Sequence, residues 1–302
     1  MPTFVLVLIA PPGHAAALDA LACATAQSAN GAAWSAPVWL SEGEAAEIAF
    51  TVGDATTAAA IRNEVAQAAL PHPIDVAVVP ADGRRKRLLI ADMDSTIIQQ
   101  ECIDEMADVL GLKAPISAIT ERAMRGELDF EAALKERLGL LAGISEAELE
   151  GVYRQRVTLM PGARSLVATM RANGAYTALV SGGFTFFTSR VAADVGFDEN
   201  RANTLALEQR KLTGHVVGPI LGREAKLAAL QELTQTKGLA PAQTLAVGDG
   251  ANDLAMISRA GLGVAYRAKP VVAAEAHAAI THGDLTALLY LQGYRRQEII
   301  KL

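Results

Sequence analysis

The stretch LLIADMDSTIIQQE, Leu88 to Glu101, decides how this chain is read. Leu88, Leu89, Ile90 and Ala91 make an apolar run of strand length, and Ile97 and Ile98 resume that character. Between them stand Asp92 and Asp94, two carboxylates one residue apart. An ionised carboxylate taken out of water is costly unless something compensates its charge. The rest of the chain therefore has to bring a cation to the end of this strand.

Working outward, the segment beyond Pro161-Gly162 alternates helix and strand. The run ARSLVATMRANG leads to YTALVSGG, KLAALQELTQTKG leads to TLAVGDG, and GVAY precedes a terminal helix. Such alternation predicts a parallel sheet covered by helices on both faces, an α/β, Rossmann-like core made of residues 86–98 and 162–302. Residues 99–161 read as a helical cap inserted into that core. The reading rests on apolar spacing in ECIDEMADVLG and FEAALKERLGLLAG and on breaks at Gly111, Gly126 and Gly143. Residues 1–82 form a separate unit. TFVLVLI is a strand, residues 14–28 a helix with a C-cap signal at Asn30-Gly31, and AAWSAPVWL and AEIAFTVG two strands. A helix over TTAAAIRNEVAQAAL, capped by Asp54, and the strand IDVAVVP follow. The order β-α-β-β-α-β is that of ferredoxin-like α+β domains and resembles the ACT regulatory domains in element order. It carries no ligand motif, so packing or homodimerisation is expected of it ahead of regulation. ADGRRKR, residues 81–87, is the boundary, and Arg84-Arg85-Lys86-Arg87 reads as a solvated linker.

The bulk numbers exclude several classes. Half of the 302 residues are hydrophobic, and a net charge of −6 gives no reason to expect nucleic-acid or anionic-membrane partners. Two cysteines, Cys23 and Cys102, make neither a disulfide framework nor a structural zinc site. The apolar N-terminal run is too short to span a bilayer and lacks a basic leader, so a cytoplasmic protein is expected.

Ligands of open parallel sheets bind at the carboxyl ends of the strands. Here three strands end in Asp92-Met93-Asp94-Ser95-Thr96, in Ser181-Gly182-Gly183-Phe184 and in Gly248-Asp249-Gly250-Ala251-Asn252-Asp253, with Lys226 at a helix start between the last two. The fold would bring all of them to one edge, and the chemistry needing such a set is phosphoryl transfer. Asp92, Asp249 and Asp253 would attract a hard, oxygen-seeking cation such as Mg²⁺, with no Cys/His cluster to favour a softer metal. Ser181, the backbone at Gly182 and the Lys226 ammonium would hold phosphate oxygens. One aspartate can serve as nucleophile, forming an aspartyl-phosphate, while Asp94 protonates the leaving alcohol and later activates water.

At these residues the chain also resembles the haloacid dehalogenase-like hydrolases, on DMDST, SGG, Lys and GDGAND in that order. The second aspartate points to the phosphatase branch. DMDSTIIQQECIDEMA, MRGELDFEAALKERLGLLAG, VSGGFTFFT, KLTGHVVGPI and VGDGANDLAMISRAGLGVAY narrow the resemblance, over about residues 85–295, to the phosphoserine phosphatases. The resemblance implies hydrolysis of O-phosphoserine, the last step of serine biosynthesis. It makes Asp92 the nucleophile and Asp94 the acid/base. It assigns Mg²⁺ to Asp92, Asp249 and the main-chain carbonyl of Asp94, and phosphate to Ser181, Gly182 and Lys226. Glu101 and Arg137 would take the amino and carboxylate groups of serine, with Asn252 beside the phosphate. The last pair also agrees with charge: a zwitterion needs one anion and one cation, and the guanidinium fork suits a carboxylate. Two rivals stand beside this reading: a phosphatase for another small phosphorylated amine or alcohol, and a non-catalytic amino-acid sensor. Asp253 reads equally as a support of the metal site or as a helix-start carboxylate.

Overall fold

A computed structural model of the chain describes residues 3–28, 32–125 and 127–302, so the expected signals at Asn30-Gly31 and Gly126 lie outside the described residues. The N-terminal unit contains β1 (Thr3–Ile9), α1 (Ala15–Ala26), β2 (Ala33–Trp34), β3 (Val38–Ser41), β4 (Ala45–Thr51), α2 (Ala55–Ala69) and β5 (Asp75–Pro80). Its sheet is antiparallel, in the order β2-β4-β1-β5, with β3 also paired to β4. The single strand expected over AAWSAPVWL is split in two, and Pro37, which has no N–H for a ladder, lies in the break. Asp54 caps α2 by accepting the Thr57 N–H at 2.8 Å.

The continuous apolarity of β1 has a structural reason: both faces of this sheet are covered. Leu6 and Leu8, with Ile48 and Phe50, share a core with Leu18 of α1 and Ile61 of α2. Val5, Val7 and Ile9, with Ala77 and Val79, belong to the same core as the rest of the chain. The sheet is thus a wall between its own helices and the second unit.

That unit opens with β6 (Leu88–Ala91), then a cap of α3 (Cys102–Val109), α4 (Lys113–Met124), α5 (Phe130–Leu140) and α6 (Glu146–Arg156). There follow α7 (Ala163–Ala172), β7 (Tyr176–Phe184), α8 (Thr185–Val195), β8 (Glu199–Glu208), β9 (Lys211–Val217) and α9 (Arg223–Thr236). The chain continues through β10 (Thr244–Gly248), α10 (Leu254–Arg259), β11 (Leu262–Tyr266), α11 (Pro270–Glu275), β12 (Ala278–Ile280) and α12 (Ala287–Leu291). Sheet order is β12-β11-β10-β6-β7-β8-β9. It is parallel except for the β8–β9 hairpin at one edge, which alternation of helix and strand did not indicate. Gln209 and Arg210 turn that hairpin with φ of 48° and 62°, the left-handed pair of a two-residue turn. Among the described residues no helix is long and apolar enough to cross a membrane.

Of the stretch 84–87, expected to be a solvated linker, Arg85 and Arg87 are exposed, whereas Arg84 and Lys86 are drawn in and, with Arg85, bracket the two units. Arg84 pairs with Glu47 at 2.6 Å and donates to the carbonyls of Tyr290 and Leu291. Arg85 pairs with Glu298, and the buried Lys86 ammonium donates to the Gly83 and Ala242 carbonyls. From the other side, buried Asp75 on β5 accepts the N–H groups of Thr281, His282 and Gly283 beyond β12. Carbonyls and carboxylates of both units therefore neutralise a charge run that composition alone assigns to water.

Candidate active site

β6 lies in the centre of the large sheet, between β10 and β7, and all four of its residues are buried. The register sets Ala91 beside both Val247 and Leu179, so the three strands expire level with one another. Asp92, Gly248-Asp249 and Val180-Ser181 must then share one edge, as expected. The loop after Asp92 is tightly wound: the Met93 carbonyl accepts the N–H groups of Thr96, Ile97 and Ile98, and Ser95 takes a left-handed φ of 55°.

Carboxylate oxygens of Asp92, Asp249 and Asp253 lie within 4.8 Å of one another. Hard oxygen donors with no imidazole or thiolate among them fit a small divalent cation such as Mg²⁺. Lys226, only 2% exposed on α9, supplies the built-in counter-charge the strand demanded. Its Nζ is 2.7 Å from Asp92 Oδ1 and 2.6 Å from Asp253 Oδ1. Burial alone would lower this ammonium, but the charges of Asp92 and Asp253 outweigh it and hold the pKa above the usual lysine value. Asp253 is fully buried, makes no side-chain cap to α10, and accepts the Gly250 N–H at 3.0 Å. It is an anchor of Lys226 rather than a helix-start carboxylate. Gly248 makes room for it: a Cβ there would sit 2.3 Å from Asp253 Cγ.

The Asp94 carboxylate stands apart from that triad. Its Oδ1 accepts the Cys102 N–H at 3.0 Å, and its Oδ2 faces Gly183, where a Cβ would come within 3.0 Å. Burial and the neighbouring Asp92 charge push its pKa up to about 6. The same two causes raise Asp249 to about 6 and Asp253 to about 7. Thr96 Oγ1 donates to Asp249 at 3.2 Å.

Opposite the acids, Ser181 Oγ accepts the Gly183 N–H at 2.9 Å, which leaves its own proton free for an incoming acceptor. The cavity enclosed here is small, about 140 Å³, against the ~300–1,000 Å³ of sites for drug-sized ligands. Asp92, Asp94, Glu101, Arg137, Ser181, Gly182, Asp249 and Asn252 all line it. Lys226 is brought to the same place but lies behind Asp92, outside the cavity wall. Ser95 Oγ donates to Glu101 at 2.6 Å, and burial plus the Asp94 charge push the Glu101 carboxyl up to about 8 although the residue's outer side is exposed. Arg137, half-buried on α5, enters from the cap.

Among the further lining residues, Phe130, Cys102 and Gly183 have parts that the sequence reading did not give them. Phe130 is the first residue of α5, 41% exposed, and lies over the backbone of Gly182 and Gly222, where added Cβ atoms would meet its ring at 3.2 and 3.5 Å. A large apolar residue beside the Asp129 cap was the available signal. Cys102 acts through its main-chain N–H, which no side-chain motif reveals, and Gly183 through the space it leaves for Asp94.

The family model for haloacid dehalogenase-like hydrolase matches residues 89–258. A phosphoserine phosphatase of a Polaromonas species is 48% identical over 210 residues, covering 68% of this chain and 89% of the relative. One of Streptomyces coelicolor is 43% identical over 241 residues, covering 79% of this chain but only 58% of that longer relative. Among solved structures, the haloacid dehalogenase family hydrolase t0658 of Salmonella enterica serovar Typhi superposes with a TM-score of 0.83 at 31% identity, over 95% of this chain and 98% of its own. Both the motif-bearing core and the arrangement of the whole chain are therefore shared with proteins of one kind. The chain belongs to the haloacid dehalogenase-like hydrolases, and within them to the group of the phosphoserine phosphatases.

Proposed function

We propose that this enzyme is a Mg²⁺-dependent phosphatase that hydrolyses O-phosphoserine to serine and phosphate through an aspartyl-phosphate on Asp92. One observation carries the reading. Asp92 sits at the focus of a lysine, two further carboxylates and a serine–glycine cup, in a cavity whose rim holds one carboxyl group, Glu101, and one guanidinium, Arg137.

Each residue then has a task its surroundings support. Arg137 takes the substrate carboxylate, and Glu101 its ammonium, which fixes the phosphoryl group over Asp92. Ser181 Oγ–H and the backbone at Gly182 hold phosphoryl oxygens, with Asn252 alongside. The bound cation would be held by Asp92, Asp249 and the Asp94 carbonyl, and would neutralise the carboxylates while drawing in a phosphoryl oxygen. Asp92 forms the new P–O bond as the bond from phosphorus to the serine oxygen breaks, and Asp94 gives its proton to that oxygen. A pKa near 6 suits a group that must hold a proton in one half of the cycle and accept one in the other. In the second half Asp94 takes a proton from water, the water oxygen attacks phosphorus, and Asp92 leaves as carboxylate.

Phosphate release from a panel of phosphomonoesters, with and without Mg²⁺, for wild type and Asp92→Asn, tests this. Phosphoserine is expected to be the best substrate, and the asparagine variant to lose turnover. Full activity of that variant would refute covalent catalysis at Asp92. A homodimer through the N-terminal unit, the assembly considered from sequence, would have to use α1, α2 or the β2–β3 side, because the inner sheet face is covered by the chain's own core. Light scattering on the intact protein decides it: a monomer mass ends that idea.

A further inference from the structure

β7 and β8 leave register where the phosphate cup is formed. Val180 pairs with Arg201, but the next pair is Phe184 with Asn203, so four residues of β7 are set against two of β8. Ser181 to Gly183 stand against Ala202 alone, a surplus of two residues that bulges out of the ladder, and the cup is that bulge. A bulge frees backbone groups that the neighbouring strand would otherwise have bonded, and buried ones need another partner.

Asn203, 3% exposed on β8, is that partner. Its Nδ2 donates to the Gly182 carbonyl at 2.8 Å and to the Leu221 carbonyl at 3.3 Å. Its Oδ1 accepts the Leu221 N–H at 2.7 Å. One amide thus uses both donors and its acceptor to join two backbone segments that are otherwise separate. The first is the cup. The second is the approach to α9, the helix that carries Lys226. The ring of Phe130 rests on both segments, over Gly182 and over Gly222.

We infer that Asn203 is a positioning residue for the phosphoryl-binding cup: its side-chain amide sets the bulge at Gly182 and the entry to α9 in one fixed relation, and with them the seat on which Phe130 and the cap close. This rests on the reading of Ser181 and Gly182 as phosphoryl ligands. The amide touches no reacting atom, and no aspartate isostere can replace it, because Asp would turn an acceptor oxygen toward two carbonyls.

The test measures competitive inhibition by inorganic phosphate, together with KM and kcat for a phosphomonoester the wild type turns over, in Asn203→Ala and in Thr188→Val. Thr188 is fully buried and its hydroxyl donates to Asn200 at 2.8 Å, so its variant also loses a buried hydrogen bond to β8, away from the cup. A residue that only holds the fold together lowers the amount of active enzyme and leaves the inhibition constant in place. The expected result is a rise of about ten-fold in the phosphate inhibition constant and in KM for Asn203→Ala, and none for Thr188→Val. A rise of less than about three-fold relative to Thr188→Val, at similar melting temperatures, overturns the inference. Where Asn203→Ala does not fold, Asn203→Asp serves with the same thresholds, since it keeps the acceptor for Leu221. If the wild type hydrolyses no phosphomonoester, it is the assignment of function that fails; if it does and phosphate inhibition stays put in the variant, it is the role of Asn203.

Discussion

Replacing Lys226 by methionine removes the one ammonium that touches both Asp92 and Asp253 while roughly keeping volume. Both contacts are short, 2.7 and 2.6 Å, and all three side chains are buried. Taking one partner from a buried pair leaves an uncompensated charge and costs about 3–5 kcal/mol. For unfolding of the whole 302-residue chain that corresponds to roughly 5–8 °C in Tm. The size of the loss must depend on pH. An acid with a raised folded pKa binds its proton more tightly folded than unfolded, so stability falls as pH climbs from the ordinary carboxylate range through the raised value. Asp253 at about 7 and Asp249 at about 6 are largely protonated at pH 5 and largely ionised at pH 8. The lysine is charged throughout this window, so its attraction counts only where its partners are ionised. Calorimetry in EDTA, for wild type and Lys226→Met between pH 5 and 8, should therefore show a Tm gap that widens toward pH 8. Adding Asp253→Asn to Lys226→Met should recover part of the loss at pH 8. A gap independent of pH, or no gap at pH 8, would refute the claim that Lys226 balances these acids.

Further outcomes follow from the same geometry. Arg137→Ala should lower kcat/KM for phosphoserine roughly 10–150-fold, the worth of a charge-assisted hydrogen bond, and leave an aryl phosphate nearly unaffected; equal losses on both would remove Arg137 as the carboxylate clamp. Mg²⁺ should raise Tm more at pH 8 than at pH 5.5, because a proton on Asp249 competes with it in the acid range, and thermal shift titrations at the two pH values check this. Gly248→Ala puts a Cβ 2.3 Å from Asp253 Cγ, so Asp253 must leave Lys226; activity should fall on the order of 100-fold with a lower Tm, and a variant of wild-type activity would show that the Asp253–Lys226 contact is dispensable.

What could be read from the chain depended on whether the signal was local. The strand ends were legible because Leu88–Ala91, Thr244–Gly248 and Tyr176–Phe184 each carry an apolar run that stops at polar residues, and a parallel sheet leaves one place for those ends to meet. Arg137 and Glu101 were legible only through the resemblance, and the structure brings both to the rim of the same cavity. Asp253 was undecidable locally: an aspartate before a helix serves as a cap as readily as an anchor, and the difference lies in Lys226, 27 residues away. Asn203 was invisible for the same reason in stronger form. Its neighbours in RANTLALE are those of an ordinary strand, and its role exists only because β7 bulges opposite it.

The linker shows where composition misleads. Four consecutive cations look alike whether water or carbonyl groups surround them, and the deciding partners, Glu47, Leu291 and Glu298, come from both ends of the chain. Their engagement changes what the N-terminal unit is. With Arg84 and Asp75 tying it to the core from two sides and Val5, Val7 and Ile9 buried in the common interior, it forms part of the support of β12 and α12. The Asp75 tie grips residues 281–283, and two residues on, the Leu285 N–H bonds the Pro161 carbonyl. Met160, beside it, bonds Ile97, in the loop that follows Asp92 and Asp94. A continuous run of hydrogen bonds, the first of them to the Asp75 side chain, thus leads from the N-terminal sheet to the return hinge of the cap, so rigidity of the first unit and placement of the loop after Asp92 have a shared structural basis.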